Sequence, residues 1–128
     1  QPNVLMSGDV MYDNSMYFAG LAEQRSIIVQ HLGLRTESFI LATVHRDHNT
    51  DDAGRLTAIL SSLLALHDAH GLPVVLPLHP RTRKRIEELV SPSLRERILA
   101  DHTIRVIPPV GFLDMIALER NARLVLTD

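Results

Sequence analysis

The sequence predicts an α/β fold, a Rossmann-like three-layer αβα arrangement around a parallel sheet. Three observations carry this. Four short runs of aliphatic and β-branched residues are apolar on both faces, as strands are when helices cover a parallel sheet from each side. Helical apolar periodicity fills the intervals between them. The connections are short, so each strand is expected to return parallel to its neighbour through a right-handed crossover.

Taken in chain order, Asn14 to Leu32 reads as a first helix, ended by Gly33. The first strand runs from Phe39 to Val44. The clearest helix follows, from about Asp51 to His70, where Leu56, Ile59, Leu60, Leu63, Leu64 and His67 form one stripe. Asn49 or Thr50 is the expected cap, Asp51 and Asp52 suit the positive end of the helix dipole, and Gly71 with Pro73 ends the element. The second strand covers Pro73 to Leu78. Past Pro80 comes a helix carrying Ile86, Leu89 and Val90, continued from Ser93 to Leu99. Thr103 to Ile107 is the third strand, Phe112 to Asn121 the last helix, and Arg123 to Thr127 the fourth strand. A sheet ending there is expected to leave an edge or an apolar face uncovered.

Composition narrows the chemistry. The 128 residues contain no Cys, which excludes a disulfide scaffold, a Cys-ligated zinc site, an iron–sulfur cluster and a thiol nucleophile, and fits a reducing compartment. Thirteen Lys and Arg against fifteen Asp and Glu leave a formal net charge of −2, so no global basic field draws the chain to nucleic acid or anionic lipid. The apolar runs fall well short of the roughly 20 residues of a membrane helix. With no initiator Met and no leader before Gln1, and a stop directly after a strand, the sequence reads as a piece of a longer protein.

In a parallel sheet the strand carboxyl ends share one edge, and ligands of open α/β folds bind there. The segments that follow the four strands are His45-Arg46-Asp47-His48-Asn49, His79-Pro80-Arg81-Thr82-Arg83, Pro108-Pro109-Val110-Gly111-Phe112 and Asp128. His45 and Arg46 beside the start of the 51–70 helix suit a diphosphate cradle, or else bond loop carbonyls and surface carboxylates. His79 with Arg81, Arg83, Lys84 and Arg85 suits a second anion site or a solvated helix face. Phe112 suits stacking on a base or a place in the core. His45, His48 and His79 lack the spacing of a metal site, and His31 and His102 read as surface residues. A P-loop, a catalytic triad and the GxGxxG fingerprint of dinucleotide binding are absent from the sequence.

These residues also carry a resemblance. Thr43-Val44-His45-Arg46, the run from Pro73 to Arg83, Pro109-Val110-Gly111-Phe112-Leu113-Asp114, Leu124-Val125-Leu126-Thr127-Asp128 and the opening Gly8-Asp9-Val10-Met11-Tyr12-Asp13 together resemble non-hydrolysing UDP-N-acetylglucosamine 2-epimerase. The resemblance implies the second, UDP-binding domain of a two-domain GT-B enzyme, with residues 1–13 as interdomain connector and 14–128 as part of that domain. It implies interconversion of UDP-GlcNAc and UDP-ManNAc by elimination of UDP to a 2-acetamidoglucal and re-addition with C2 inverted. No cofactor or metal is expected. His45 matches the essential histidine and Arg46 its motif neighbour. His79 matches a histidine associated with UDP-GlcNAc as activator, and Phe112 the aromatic position near uridine. Asn49, Arg81 and Asp128 fall in matched motifs and are expected to bind substrate. The family's His-Arg-x-Glu-Asn has His48 in place of Glu here. Its acid/base carboxylates lie in the other domain, and its phosphate-binding Ser-Gly-Gly would follow Asp128. The piece alone is therefore expected to be inactive, and the whole protein to be a cytoplasmic homodimer serving cell-envelope polysaccharide synthesis. The readings beside this one are a GT-B glycosyltransferase, a hydrolysing epimerase, and a non-catalytic nucleotide-sugar-binding module.

Overall fold

A computed structural model describes residues 8–100 and 103–128. Its centre is one sheet of four parallel strands, β1 (Ile40–Thr43), β2 (Val74–Pro77), β3 (Ile104–Ile107) and β4 (Leu124–Thr127), in the order β3-β2-β1-β4. Leu41 sits opposite Val75 on one side and Val125 on the other. The β-branched and aliphatic content of these runs suits a pleated ribbon buried on both faces, and β1 and β2 are almost wholly enclosed.

The helices divide between the two faces as right-handed crossovers require. On one face lie α4 (Ala53–His70), α5 (Pro80–Leu89) and α6 (Pro92–Leu99), which link β1 to β2 and β2 to β3. Leu56, Leu60, Leu63 and Leu64 of α4, Ile86 of α5 and Ile98 of α6 pack there against Ile40, Ala42, Val74 and Leu76. On the other face lie α1 (Val10–Arg25), α2 (Ile28–His31) and α7 (Phe112–Asn121), where Leu118 joins Phe39, Leu41 and Val75. Each fully buried Leu or Ile contributes about 1.5–3 kcal/mol relative to exposure. β4 is less covered, with Leu124 and Val125 each 43% exposed.

Several boundaries differ from the sequence expectation, the helix starts and breaks most of all. The first helix begins at Val10, because the Asp9 carboxylate accepts from the N–H groups of Met11 and Tyr12 at 2.9 and 3.2 Å. It then breaks at Ser26, which is extended and whose hydroxyl donates to Asp114 of α7 at 2.6 Å. Residues 14–32 are thus two helices. The long central helix starts at Ala53, capped by Asp52, whose carboxylate accepts from the Arg55 N–H at 2.8 Å. Asn49 and Thr50, the expected caps, lie instead in the one-turn α3 (Asp47–Thr50). The break between α5 and α6 follows from Val90, extended, and Pro92 at the head of α6. The last helix has the expected limits. Residues 1–7 of the expected connector, and His102, lie outside the described residues.

Gly71 closes α4 at φ +66°, where an L side chain is strained, while a Cβ at helical Gly20 meets no atom within 4 Å. Gly71→Ala is expected to destabilise by about 1 kcal/mol and Gly20→Ala to stabilise by about 0.5–1 kcal/mol. Urea denaturation midpoints check both signs.

Candidate functional site

The helices change faces between β1 and β4, which makes the carboxyl ends of these two strands the switch point of the sheet. There the last residue of the chain meets the loop after β1. The Thr43 and Thr127 hydroxyls lie 3.0 Å apart, and the Asp128 N–H donates to the Thr43 carbonyl at 3.3 Å. The Asp128 side chain then reaches into the loop. One carboxylate oxygen accepts from the His45 N–H at 3.0 Å and lies 3.2 Å from His45 Nδ1; the other accepts from the Arg46 N–H at 3.0 Å and Asn49 Nδ2 at 3.2 Å. Its side chain is only 6% exposed, that of His45 65%.

Burial alone would raise the Asp128 pKa. The His45 N–H, the Asn49 amide, the Arg46 N–H and the nearby imidazole outweigh it and hold the carboxyl below its ordinary value. The aspartate and Asn49, both expected to bind substrate, are therefore occupied by the protein's own groups. Both also line a cleft of about 420 Å³ on the α4 side of the switch point, with Thr43, Leu63 and Thr127.

A second set of charges braces α3 against α5. Arg81 hydrogen-bonds Asp47 through one guanidinium nitrogen and Asp51 through the other, at 2.9 Å, and Arg85 Nε donates to the same Asp51 at 2.9 Å. The hydrogen bond to Asp47, opposed by desolvation and aided by both carboxylates' charge, raises the Arg81 pKa above the ordinary arginine value. Lys84 and Arg85 pair with Glu88 at 3.6 and 3.1 Å. Three of the four cations of this run are thus paired with carboxylates, and Arg81 is a brace where a substrate ligand was expected. The cradle expected at the start of the long helix is also altered, since Asp52 caps that end. Arg46 and Arg83 remain as exposed cations with no ion-pair partner among the described residues.

Beside the clamp opens a cleft of about 420 Å³, lined among others by His45, His79, Pro109, Val110, Met115 and Glu119. His45 and His79, far apart in sequence, meet here as the shared strand edge implied. His79 is the N-cap of α5, its Nδ1 accepting from the Arg81 N–H at 3.3 Å. Phe112 does not line this cleft. It packs edge-on against Phe18 of α1, ring centroids 5.0 Å apart, and is 63% exposed. Met115 and Glu119, neither singled out from sequence, take the cleft wall instead; their one-turn spacing on α7 was the available signal. Among the described residues no three His, Cys, Asp or Glu gather to hold a metal ion, and His48 stands exposed on α3 away from the cleft lining.

A family model described as UDP-N-acetylglucosamine 2-epimerase matches residues 1–128. The chain is 46% identical over 122 residues to the UDP-2,3-diacetamido-2,3-dideoxy-D-glucuronate 2-epimerase of Pseudomonas aeruginosa, covering 94% of this chain and 30% of that protein. It is 38% identical over 122 residues to a UDP-N-acetylglucosamine 2-epimerase homolog of Methanococcus maripaludis, covering 94% and 32%. The crystal structure of Methanocaldococcus jannaschii UDP-GlcNAc 2-epimerase in complex with UDP-GlcNAc and UDP superposes with a TM-score of 0.82 at 28% identity, over 99% of this chain and 34% of that one. The chain spans about a third of the length of these relatives.

A carboxyl whose pKa is lowered on folding stabilises the fold above its ordinary pKa and loses that contribution as pH falls through the lowered value. Asp128→Ala is expected to cost about 2 kcal/mol at pH 7 and much less near pH 2, read from urea unfolding at both pH values.

Proposed function

The chain belongs to the UDP-N-acetylglucosamine 2-epimerase family, and on that premise we propose that it is part of the UDP-sugar-binding domain of an enzyme that interconverts UDP-GlcNAc and UDP-ManNAc. The observation that carries the proposal is the meeting of His45, Arg46 and His79 at the switch point of the sheet, beside a cleft of suitable volume. Residues 1–13 act as the connector from the other domain, their last four already turning into α1, residues 14–128 as part of the nucleotide domain, and the whole protein works as a cytoplasmic homodimer. No helix of the described residues is long and apolar enough to cross a membrane.

Inverting C2 requires its C–H bond to break. Removal of the C2 proton with departure of UDP from C1 gives the 2-acetamidoglucal, and UDP returns to C1 as a proton is delivered to the opposite face of C2. The sequence is redox-neutral, so no cofactor is called for. Negative charge builds on the diphosphate as it leaves. His45 is the catalytic residue of this chain, donating in its charged form to a diphosphate oxygen, and Arg46 supplies a cation with no carboxylate partner among the described residues. His79 lines the same cleft as a binding residue, with Met115 and Glu119 taking the wall that Phe112 was expected to supply. The proton-transfer carboxylates belong to the other domain, so residues 1–128 alone bind UDP without turnover.

A second substrate has specific support. The 46% identity to the P. aeruginosa enzyme exceeds the 38% to the M. maripaludis one, which favours a UDP-2,3-diacetamido-uronate as the sugar nucleotide acted on. The two substrates share the UDP and the C2 chemistry and differ at C3 and C6.

Incubation of the full-length protein with each sugar nucleotide in deuterated water distinguishes the readings by NMR. The expected result is the C2 epimer carrying deuterium at C2, with UDP retained. Release of free ManNAc, or transfer of the sugar to an acceptor, contradicts the proposal. His45→Ala is expected to lower kcat by about a hundredfold or more while UDP affinity changes far less, measured by calorimetry.

A further inference from the structure

We propose that Asp128 is a positioning residue for His45: it makes no contact with substrate and instead fixes the imidazole as its Nδ1–H tautomer, with Nε2 turned to the cleft as the reacting nitrogen. The inference rests on the epimerase reading only for its effect on turnover. Its structural half stands without it.

Asp128 is ionised at neutral pH and so accepts hydrogen bonds only. Its two oxygens receive three hydrogen bonds, from the His45 N–H, the Arg46 N–H and Asn49 Nδ2, and one of them lies 3.2 Å from His45 Nδ1. With the side chain 6% exposed, the carboxylate has little surface left for a phosphate or sugar hydroxyl. An anionic carboxylate oxygen 3.2 Å from Nδ1 favours the proton on that nitrogen over a lone pair facing the charge. Nε2 then carries the lone pair when the ring is neutral, and is a second donor when the ring is charged. Because the same carboxylate holds the main-chain N–H groups of residues 45 and 46, ring orientation and loop position are set together. The other ionisable groups around the ring are His79 and Glu119 across the cleft and Arg46 and Asp47 on its own loop.

The arrangement divides labour in a way the motif does not announce. His45 carries the proton, and the last residue of β4's extension decides which nitrogen carries it. In histidine-carboxylate pairs of this kind, replacing the carboxylate by an amide leaves the geometry nearly intact but presents an N–H to Nδ1, which reverses the tautomer.

The test is long-range 1H–15N correlation of the full-length protein labelled at histidine, as wild type and as Asp128→Asn. In the wild type with the imidazole neutral, His45 Nδ1 is expected in the protonated range and its Nε2 in the unprotonated range. In D128N the two exchange. His67, whose Nδ1 lies 2.8 Å from the Leu72 carbonyl oxygen, is the internal control and is expected to remain Nδ1–H in both. An Nε2–H tautomer for His45 in the wild type overturns the proposal, and this holds even if D128N does not fold. With UDP-sugar as substrate, D128N is expected to lose kcat by about tenfold or more with KM changed by less than about threefold. A reversed tautomer with unchanged kcat overturns the positioning role. Absence of turnover in the wild type would count against the epimerase reading alone, leaving the tautomer result to stand.

Discussion

The Asp128 carboxylate joins the end of one edge strand to the loop of a central one, and most of what the site can do depends on that junction. β1 and β4 pair in register from Ile40 to Thr43, so the strand hydrogen bonds deliver Asp128 to the level of His45. A charged acceptor there meets backbone donors that would otherwise be unpaired past the end of β1. The carboxylate is stabilised in its ionised form by the same contacts that order the loop. Site order and site charge are therefore one property.

The switch point explains why the chemistry collects where it does. Helices on opposite faces leave a crevice between β1 and β4, and the strand carboxyl ends place His45 and His79 on its rim. α3 would be a poorly supported single turn without Arg81 and Arg85, which grip its Asp47 and the adjoining Asp51. These pairs are exposed, so each is weak in itself. Their arrangement as a network sharing Asp51 is what holds α3 to α5. Two devices then set the His45 loop, a buried carboxylate on one side and an exposed arginine brace on the other.

The strands and their parallel arrangement were legible because burial on both faces leaves a continuous apolar run, and the last helix because Leu113, Ile116 and Ala117 recur at helical spacing after Gly111. What escaped the sequence depends on partners distant along the chain. The break at Ser26 follows from a hydroxyl bonded to Asp114, 88 residues away. Asp52 outcompeted Asn49 and Thr50 as the cap of α4 once Asn49 was drawn to Asp128. Arg81 looked like a ligand because a cation at a strand end suits a phosphate equally well; only the fold shows two aspartates within its reach. Phe112 was drawn to α1 by Phe18, leaving Met115 and Glu119 on the cleft wall. His45 and His79 were recognisable because a strand end fixes position whatever the loop does.

The proposed function requires the nucleotide to be held at this edge, over the cleft shared by His45 and His79. A crystal structure of the protein with UDP bound tests it most directly. The expected result is the diphosphate within hydrogen-bond distance of the His45 ring or the Arg46 guanidinium, with the Asp128 carboxylate still engaged by the loop. UDP bound elsewhere on the fold with this cleft empty, or a diphosphate bonded through Asp128 released from His45, would contradict it.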